Sequence, residues 1–131
     1  MKTETGFQLL DWRQEFGGEL RYGDIYYELA KLLHGLVGYF ASKASCTFRV
    51  TNPVRFQLDP RTDYAECEDY LCQFVKAVGL SWDKVVLITS LIFLNIAGLH
   101  TYPRAHFYYY LGKFRLGEAT SALREMNVER Y

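Results

Sequence analysis

The sequence WDKVVLITSLIFLNIAGL, residues 82–99, decides the fold class of this chain. Its apolar residues fall on nearly every side of a helix, and such a helix belongs in the centre of a packed domain. Ser81, directly before it, is a favourable N-cap. The longest apolar run, residues 85–99, includes three polar residues and is shorter than the roughly 20 residues that a bilayer crossing requires. We therefore expect a buried central helix and no membrane span.

Two amphipathic patterns before this stretch predict two more helices. Asp24 is a good N-cap, and after it apolar residues recur at intervals of three and four over residues 25–40. The pair Asp59-Pro60 has the form of a cap followed by a first-turn proline. The helix that this pair opens should stop at Gly79, because glycine readily adopts the left-handed conformation that ends helices.

A fourth helix completes the predicted domain. It begins at about Arg104, after the break at Thr101-Tyr102-Pro103, and runs to about Met126, with Gly117 as a point of interruption. The chain is therefore predicted to be mainly α. Its 131 residues, 1–131, fit a single domain.

Two short β segments accompany the helices. Residues 7–12 predict a short N-terminal strand with no pairing strand upstream, since the residues before it have the composition of a turn. Residues 46–58 alternate loosely around Asn52-Pro53, which predicts a small β-hairpin.

The charge and cysteine content restrict the partners and the compartment. Fifteen basic and fifteen acidic residues cancel, so no net field attracts nucleic acid or an anionic membrane, and neither is expected as a partner. The three cysteines form no C-x-x-C pair, and the N-terminus does not resemble a signal peptide. A reducing, cytoplasmic environment is the simpler interpretation.

One stretch carries recognisable chemistry. Leu9-Leu10-Asp11-Trp12 ends a hydrophobic strand with a carboxylate, and past a glycine-containing loop comes Gly23-Asp24-Ile25-Tyr26-Tyr27-Glu28-Leu29-Ala30. A carboxylate at a strand end is well placed to hold Mg²⁺ against nucleotide phosphates. Taken alone, Asp11 is more simply interpreted as a solvent-exposed aspartate at a strand end. Together with the second segment, the interpretation as a metal ligand is favoured.

These two segments together resemble kinases of the aminoglycoside phosphotransferase and choline kinase superfamily. Those enzymes carry a hydrophobic-hydrophobic-Asp-Trp/Phe strand end, followed by a Gly-Asp-x-x-x-Asp/Glu-Leu-Ala helix start. The resemblance covers about a fifth of the chain. It implies that Asp11 is similar to the family's metal-binding aspartate and Asp24 to its structural aspartate, with Glu28 also structural. The helical remainder would then be the C-terminal lobe of a protein-kinase-like fold.

The sequence departs from the family in what precedes Asp11. The family's His-Gly-Asp-x-x-x-x-Asn catalytic loop should lie there, but the ten residues before Asp11 contain neither His nor Asp. No phosphate-covering loop or nucleotide lysine is recognisable either. Phosphoryl transfer requires the metal, the phosphate clamp and a positioned base together. We therefore expect no activity from this chain alone and no assigned catalytic residue, with Mg²⁺ and ATP bound only if a nucleotide lobe completes the site.

Two functions remain open. The first is the C-terminal, metal- and acceptor-side part of a phosphotransferase that acts on a small alcohol, amino alcohol or sugar. The second is a non-catalytic helical module that docks its own copy or another protein through an aromatic surface such as Phe107-Tyr108-Tyr109-Tyr110. The acceptor and the oligomeric state are not encoded in any pattern that we recognise.

Overall fold

The computed structural model describes residues 2–3, 6–7, 17–19, 21–43, 47–49, 55–57 and 62–128, with side chains described within 17–19, 21–37 and 65–121. Four α-helices dominate this part of the chain, so the prediction of a mainly α protein is confirmed. They are α1 (Ile25–Lys43), α2 (Thr62–Ala77), α3 (Trp82–Ala97) and α4 (Arg104–Val128). None of the described helices is both long and apolar enough to span a membrane.

Four short strands form two hairpins. The strands β1 (Lys2–Thr3) and β2 (Gly6–Phe7) pair antiparallel, with Thr3 opposite Gly6. Of the predicted strand 7–12 only Phe7 is described; it lies in β2 and pairs with Lys2, whereas residues 8–12 lie outside the described residues. The strands β3 (Thr47–Arg49) and β4 (Arg55–Gln57) also pair antiparallel, with Phe48 opposite Phe56, within the predicted hairpin segment 46–58.

Local sequence signals end helix α2 and start helix α3. Gly79 has a φ of 76°, and the N–H groups of Gly79 and Leu80 donate to the carbonyls of Lys76 and Val75 at 3.0 Å each. This is the hydrogen-bond pattern of a Schellman motif, and it ends α2 where the glycine predicted. Two residues later Ser81 caps α3, because its Oγ accepts from the Lys84 N–H at 3.3 Å.

The helix α3 is the central element. On one side Thr89 Oγ1 lies 3.3 Å from the Ala30 carbonyl oxygen of α1, and the ring centres of His34 and Phe93 lie 4.9 Å apart. On the other side the ring of Phe93 stacks on Tyr108 of α4 at 5.6 Å. The prediction that this helix lies at the centre of the packing is therefore confirmed.

The helix directions alternate along the chain. Residues of α1 meet residues of α3 in rising order, from Tyr26 with Ser81 to His34 with Phe93, so these two helices run parallel. The short connections at 78–81 and 98–103 turn the chain back between α2 and α3 and between α3 and α4. The result is an up-down-up-down arrangement of four helices.

The core fills the space between the helices with aliphatic and aromatic side chains. Its buried hydrophobic residues are Leu29, Ala30, Leu33, Val37, Leu71, Val75, Val85, Val86, Phe93, Ala97, Phe107, Tyr108, Leu111 and Ala119. All four helices contribute to this set. The described helices therefore share one core.

Candidate functional site

The candidate site is the start of α1, because the second of the two segments singled out in the sequence, residues 23–30, lies there. The carboxylate of Asp24 accepts from the N–H of Tyr26 at 2.7 Å and from the N–H of Tyr27 at 3.3 Å. The Asp24 carbonyl accepts from the Glu28 N–H at 3.1 Å. Asp24 is thus the N-cap of α1, and replacing such a cap by alanine typically costs about 1 kcal/mol.

This geometry fixes what Asp24 does in the described structure. The same oxygen, Oδ1, accepts from both backbone N–H groups, so the carboxylate caps the start of the helix. Its side chain is otherwise exposed to solvent. These contacts are those of an N-cap, as predicted for Asp24 from the sequence.

Glu28 lies in the first turn of α1 and is half-buried. An acidic side chain there interacts favourably with the unpaired N–H groups of the helix start. Glu28 lies four residues beyond the cap, and its expected structural role stays a prediction.

Tyr26 joins the start of α1 to the start of α3. Its hydroxyl accepts from the Ser81 N–H at 3.3 Å, and the ammonium group of Lys84 lies 5.2 Å from the centre of its ring. The sequence did not single out Tyr26 or Lys84, because their partners are 55 and 58 positions away along the chain. No local pattern reveals such a contact before the fold is known.

Asp11, the predicted metal ligand, lies outside the described residues. Among the described residues, no group of three or more His, Cys, Asp or Glu side chains is arranged to hold a metal ion. The structure therefore places Asp24 and Glu28 at the start of the same helix. That Asp11 lies near them and binds a metal stays a prediction.

The aromatic run of α4, predicted as part of a docking surface, divides between core and solvent. Phe107 and Tyr108 are buried, Tyr110 is half-buried, and Tyr109 is the exposed member. The ammonium group of Lys113 lies 5.5 Å from the Tyr109 ring centre. Tyr108 stacks on Phe93 of α3 and Phe107 packs against Tyr108, so the two buried rings of this run are not accessible to a partner.

His34 is the described histidine with a clear electrostatic signature. Its Nε2 atom is buried and has no hydrogen-bond partner among the described residues. Burial, together with the nearby Lys31 charge, lowers the pKa of the His34 imidazole below its usual 6.5. The ring packs against Phe93 in the core, so we assign it to the α1–α3 interface and not to a reactive centre.

Comparison with known proteins gives no neighbour: no protein-family model, curated protein or solved structure matches this chain. What the described site supports on its own geometry is a capped helix start, braced against the start of α3 by Tyr26.

Proposed function

We propose that this chain is the C-terminal, metal- and acceptor-side part of a small-molecule phosphotransferase similar to the aminoglycoside phosphotransferase and choline kinase superfamily. The observation that carries the proposal is the two-part motif at 9–12 and 23–30. The N-cap geometry of Asp24 supports it, since a capping aspartate at this helix start is what the motif implies. The largely helical architecture is compatible with it.

The proposed division of labour assigns each motif residue one task. Asp11 would hold Mg²⁺ against the phosphates of ATP, since carboxylate oxygens are the ligands that this ion prefers. Asp24 holds the start of α1, and the helices behind it would support the acceptor, a small alcohol, amino alcohol or sugar. The catalytic base and the phosphate clamp would come from a nucleotide-binding unit that these 131 residues do not contain.

The proposal is tested with the chain alone and with the chain fused behind the nucleotide lobe and catalytic loop of a choline kinase-like enzyme. We expect no ATP turnover from the chain alone. The fusion should phosphorylate members of a panel of amino alcohols and sugars, measured by ADP release and by mass of the product. Asp11→Ala should abolish that activity, because the metal loses its protein ligand.

Asp69→Ala is the matched control, since Asp69 is an exposed aspartate on α2, away from the motif. It should leave the activity of the fusion within a factor of about two. Turnover by the 131-residue chain alone, or a fusion whose activity survives Asp11→Ala, would refute the proposal.

A second candidate function is a non-catalytic interaction module. It is favoured by the large apolar side chains that α1 and α2 leave in solvent, among them Leu32, Tyr70 and Phe74. A patch of this kind on a soluble domain is typical of a contact surface. This alternative predicts a stable complex and no affinity for Mg²⁺-nucleotide, so Asp11→Ala should change nothing that is measured.

A further inference from the structure

The side chain of His34 leaves one hydrogen-bonding position of the core unsatisfied. Its Nε2 is the single buried side-chain nitrogen or oxygen without a hydrogen-bond partner among the described residues. The ring lies in the contact between α1 and α3, with its centre 4.9 Å from that of Phe93. Folded proteins leave few buried polar atoms without a partner, since such an atom loses its hydrogen bonds to water and gains none.

A proton on His34 changes what this position requires. In the neutral imidazole one of the two ring nitrogens carries no proton, whereas in the imidazolium both are N–H donors. While α1 is packed on α3, a proton on Nε2 has no acceptor among the described residues. Once α1 has moved away from α3, water accepts from this N–H group. Protonation therefore favours the separation of α1 from α3.

The charged side chains of α1 and α3 nearest to this contact do not stabilise a protonated His34. Burial, and then the positive charge of Lys31 one turn earlier on α1, lower the pKa of the imidazole. The charged residues of α3 are Asp83 and Lys84, both in its first turn. Phe93, which contacts His34, lies about 14 Å further along that helix.

The other titratable groups around the contact give no counter-charge either. Glu28 of α1 lies six residues before His34, whereas helical side chains meet at spacings of three and four. On α4, Tyr108 stacks on Phe93, and His100 lies beside Tyr108. The charged or titratable side chains of α2 and α4 that are exposed to solvent include Glu66, Asp69, Lys76, Arg104, His106, Lys113 and Glu118. No described carboxylate is therefore placed to stabilise an imidazolium at position 34.

Two polar contacts between α1 and α3 are long. The Ser81 N–H donates to the Tyr26 hydroxyl at 3.3 Å. Thr89 Oγ1 lies 3.3 Å from the Ala30 carbonyl oxygen, but it donates to a carbonyl of its own helix at 2.7 Å. Both contacts exceed the usual length of a hydrogen bond, about 2.9 Å. They hold α1 against α3 less firmly than short hydrogen bonds would.

The remaining helices are joined by contacts that do not involve α1. Arg115 of α4 donates to both carboxylate oxygens of Glu68 on α2, at 2.6 and 2.9 Å. The helices α3 and α4 approach so closely that a Cβ added at Gly112 would lie 3.0 Å from the Ser90 carbonyl oxygen. We therefore expect α2, α3 and α4 to stay together when α1 moves.

We propose that His34 makes the contact between α1 and α3 sensitive to pH, so that a proton on its imidazole shifts α1 towards a state separated from α3 while α2, α3 and α4 remain packed. The shift begins as the pH falls below about 6.5, where a solvated imidazole takes up its proton. Because the Asp24 cap is part of the start of α1, acidification loosens the candidate site as well. The inference is independent of the proposed phosphotransferase activity, since it concerns the packing of α1 and involves neither metal nor nucleotide.

Hydrogen exchange of the backbone amides, corrected for the intrinsic exchange rate at each pH, tests this proposal on the whole chain. Between about pH 7.5 and 5.5 the protection of the α1 amides should fall several-fold, while that of the α4 amides stays unchanged. The limit is about tenfold, because a free imidazole at pH 5.5 is about ten times more often protonated than neutral. Equal protection of α1 at both pH values would mean that the ring turns outwards without moving the helix, which would overturn the proposal. An equal fall in α1 and α4 would also overturn it, since the whole domain would then be opening.

His34→Gln removes the titrating group and keeps a polar side chain, so this variant should lose the pH-dependent fall in α1 protection. His106→Gln is the matched control, because it is the same change at an exposed histidine of α4, and it should retain the fall. A fall that persists in His34→Gln would refute the role of His34. Circular dichroism at neutral pH checks the fold of both variants. The comparison of α1 with α4 in the unmodified protein decides the proposal even if a variant fails to fold.

Discussion

Thr89 and Ser90 are the polar residues buried in the described core, and both are satisfied within their own helix. Thr89 Oγ1 donates to the Val85 carbonyl and Ser90 Oγ to the Val86 carbonyl, each at 2.7 Å. In the sequence these residues look like interruptions of an apolar run. A hydroxyl that bonds the carbonyl four residues back loses little on burial, so the helix remains suited to the core.

His34 predicts a stability that depends on pH. The pKa of its imidazole is lowered in the folded chain, mainly by burial and further by Lys31, so the unfolded chain takes up the proton first as the pH falls below about 6.5. The free energy of unfolding should therefore decrease as the pH falls from 6.5 towards the lowered pKa. Urea denaturation at pH 7.5 and 5.5 measures this change.

The control for this prediction is His34→Leu, which keeps an apolar contact with Phe93 and removes the titrating group. On acidification the free energy of unfolding of the unmodified protein should fall relative to that of this variant. Only the unmodified protein has an imidazole at position 34 that binds a proton more readily in the unfolded chain than in the folded chain. Parallel loss of stability in the two proteins would show that other groups cause the pH dependence.

At the scale of the elements, two glycines of α4 have opposite environments. A Cβ added at Gly112 would lie 3.0 Å from both Leu94 Cγ and the Ser90 carbonyl oxygen of α3, whereas one added at Gly117 meets nothing within 4 Å. Gly112→Ala should therefore destabilise the protein by about 1–3 kcal/mol, because the α3 backbone cannot give way without a shift of the helix. Gly117→Ala should stabilise it by about 0.5–1 kcal/mol.

The two variants control for each other, since both are the same chemical change within one helix. Urea denaturation of both at neutral pH measures the free energies of unfolding. If both variants were stabilised equally, helix propensity alone would account for the effect. The expected steric conflict between a Cβ at position 112 and α3 would then be refuted.

The helix boundaries show how far local sequence patterns reach. The starts at Ile25 and Trp82 and the stop before Gly79 were predicted, because Asp24, Ser81 and Gly79 act through hydrogen bonds within a few residues. The predicted interruption at Gly117 is wrong: α4 continues through it. A helical glycine costs only about 1 kcal/mol, which packing of the next turn, including the buried Ala119, offsets.

The sequence did not predict which side chains of a helix are buried and which are exposed. The run Phe107–Tyr110 is uniformly aromatic, so its periodicity does not reveal which rings are buried. The position of α3 decides this, burying Phe107 and Tyr108 and leaving Tyr109 in solvent. Likewise the contact between Tyr26 and Ser81 spans 55 residues and has no local signature. Of the candidate site, only the locally encoded cap was predictable in its geometry.

At the scale of the whole molecule, an ion pair between Glu68 and Arg115 links helix α2 to helix α4. Arg115 donates to both oxygens of Glu68, at 2.6 and 2.9 Å, and the two side chains are 14% and 20% exposed. A bidentate ion pair that is largely shielded from solvent contributes more to the free energy of unfolding than an exposed surface pair does. We expect a coupling free energy of about 1–2 kcal/mol between Glu68 and Arg115.

A double-mutant cycle of Glu68→Ala, Arg115→Ala and the double variant measures this coupling from free energies of unfolding. The cycle cancels the other contacts that each side chain makes. Repeating it in high salt should change the coupling little, since shielded pairs are weakly screened. A coupling near zero would mean that this ion pair contributes little to holding α2 against α4.

The alternating directions of the four helices have an electrostatic consequence. The amino ends of α1 and α3 lie side by side, because Tyr26 contacts Ser81, and α2 ends next to the start of α3, so helix-dipole charges of both signs meet on this side. Fifteen acidic and fifteen basic side chains are in balance as well. Where these described helix ends meet, the binding of a cation or phosphate therefore depends on individual carboxylates or cationic side chains more than on the helix ends.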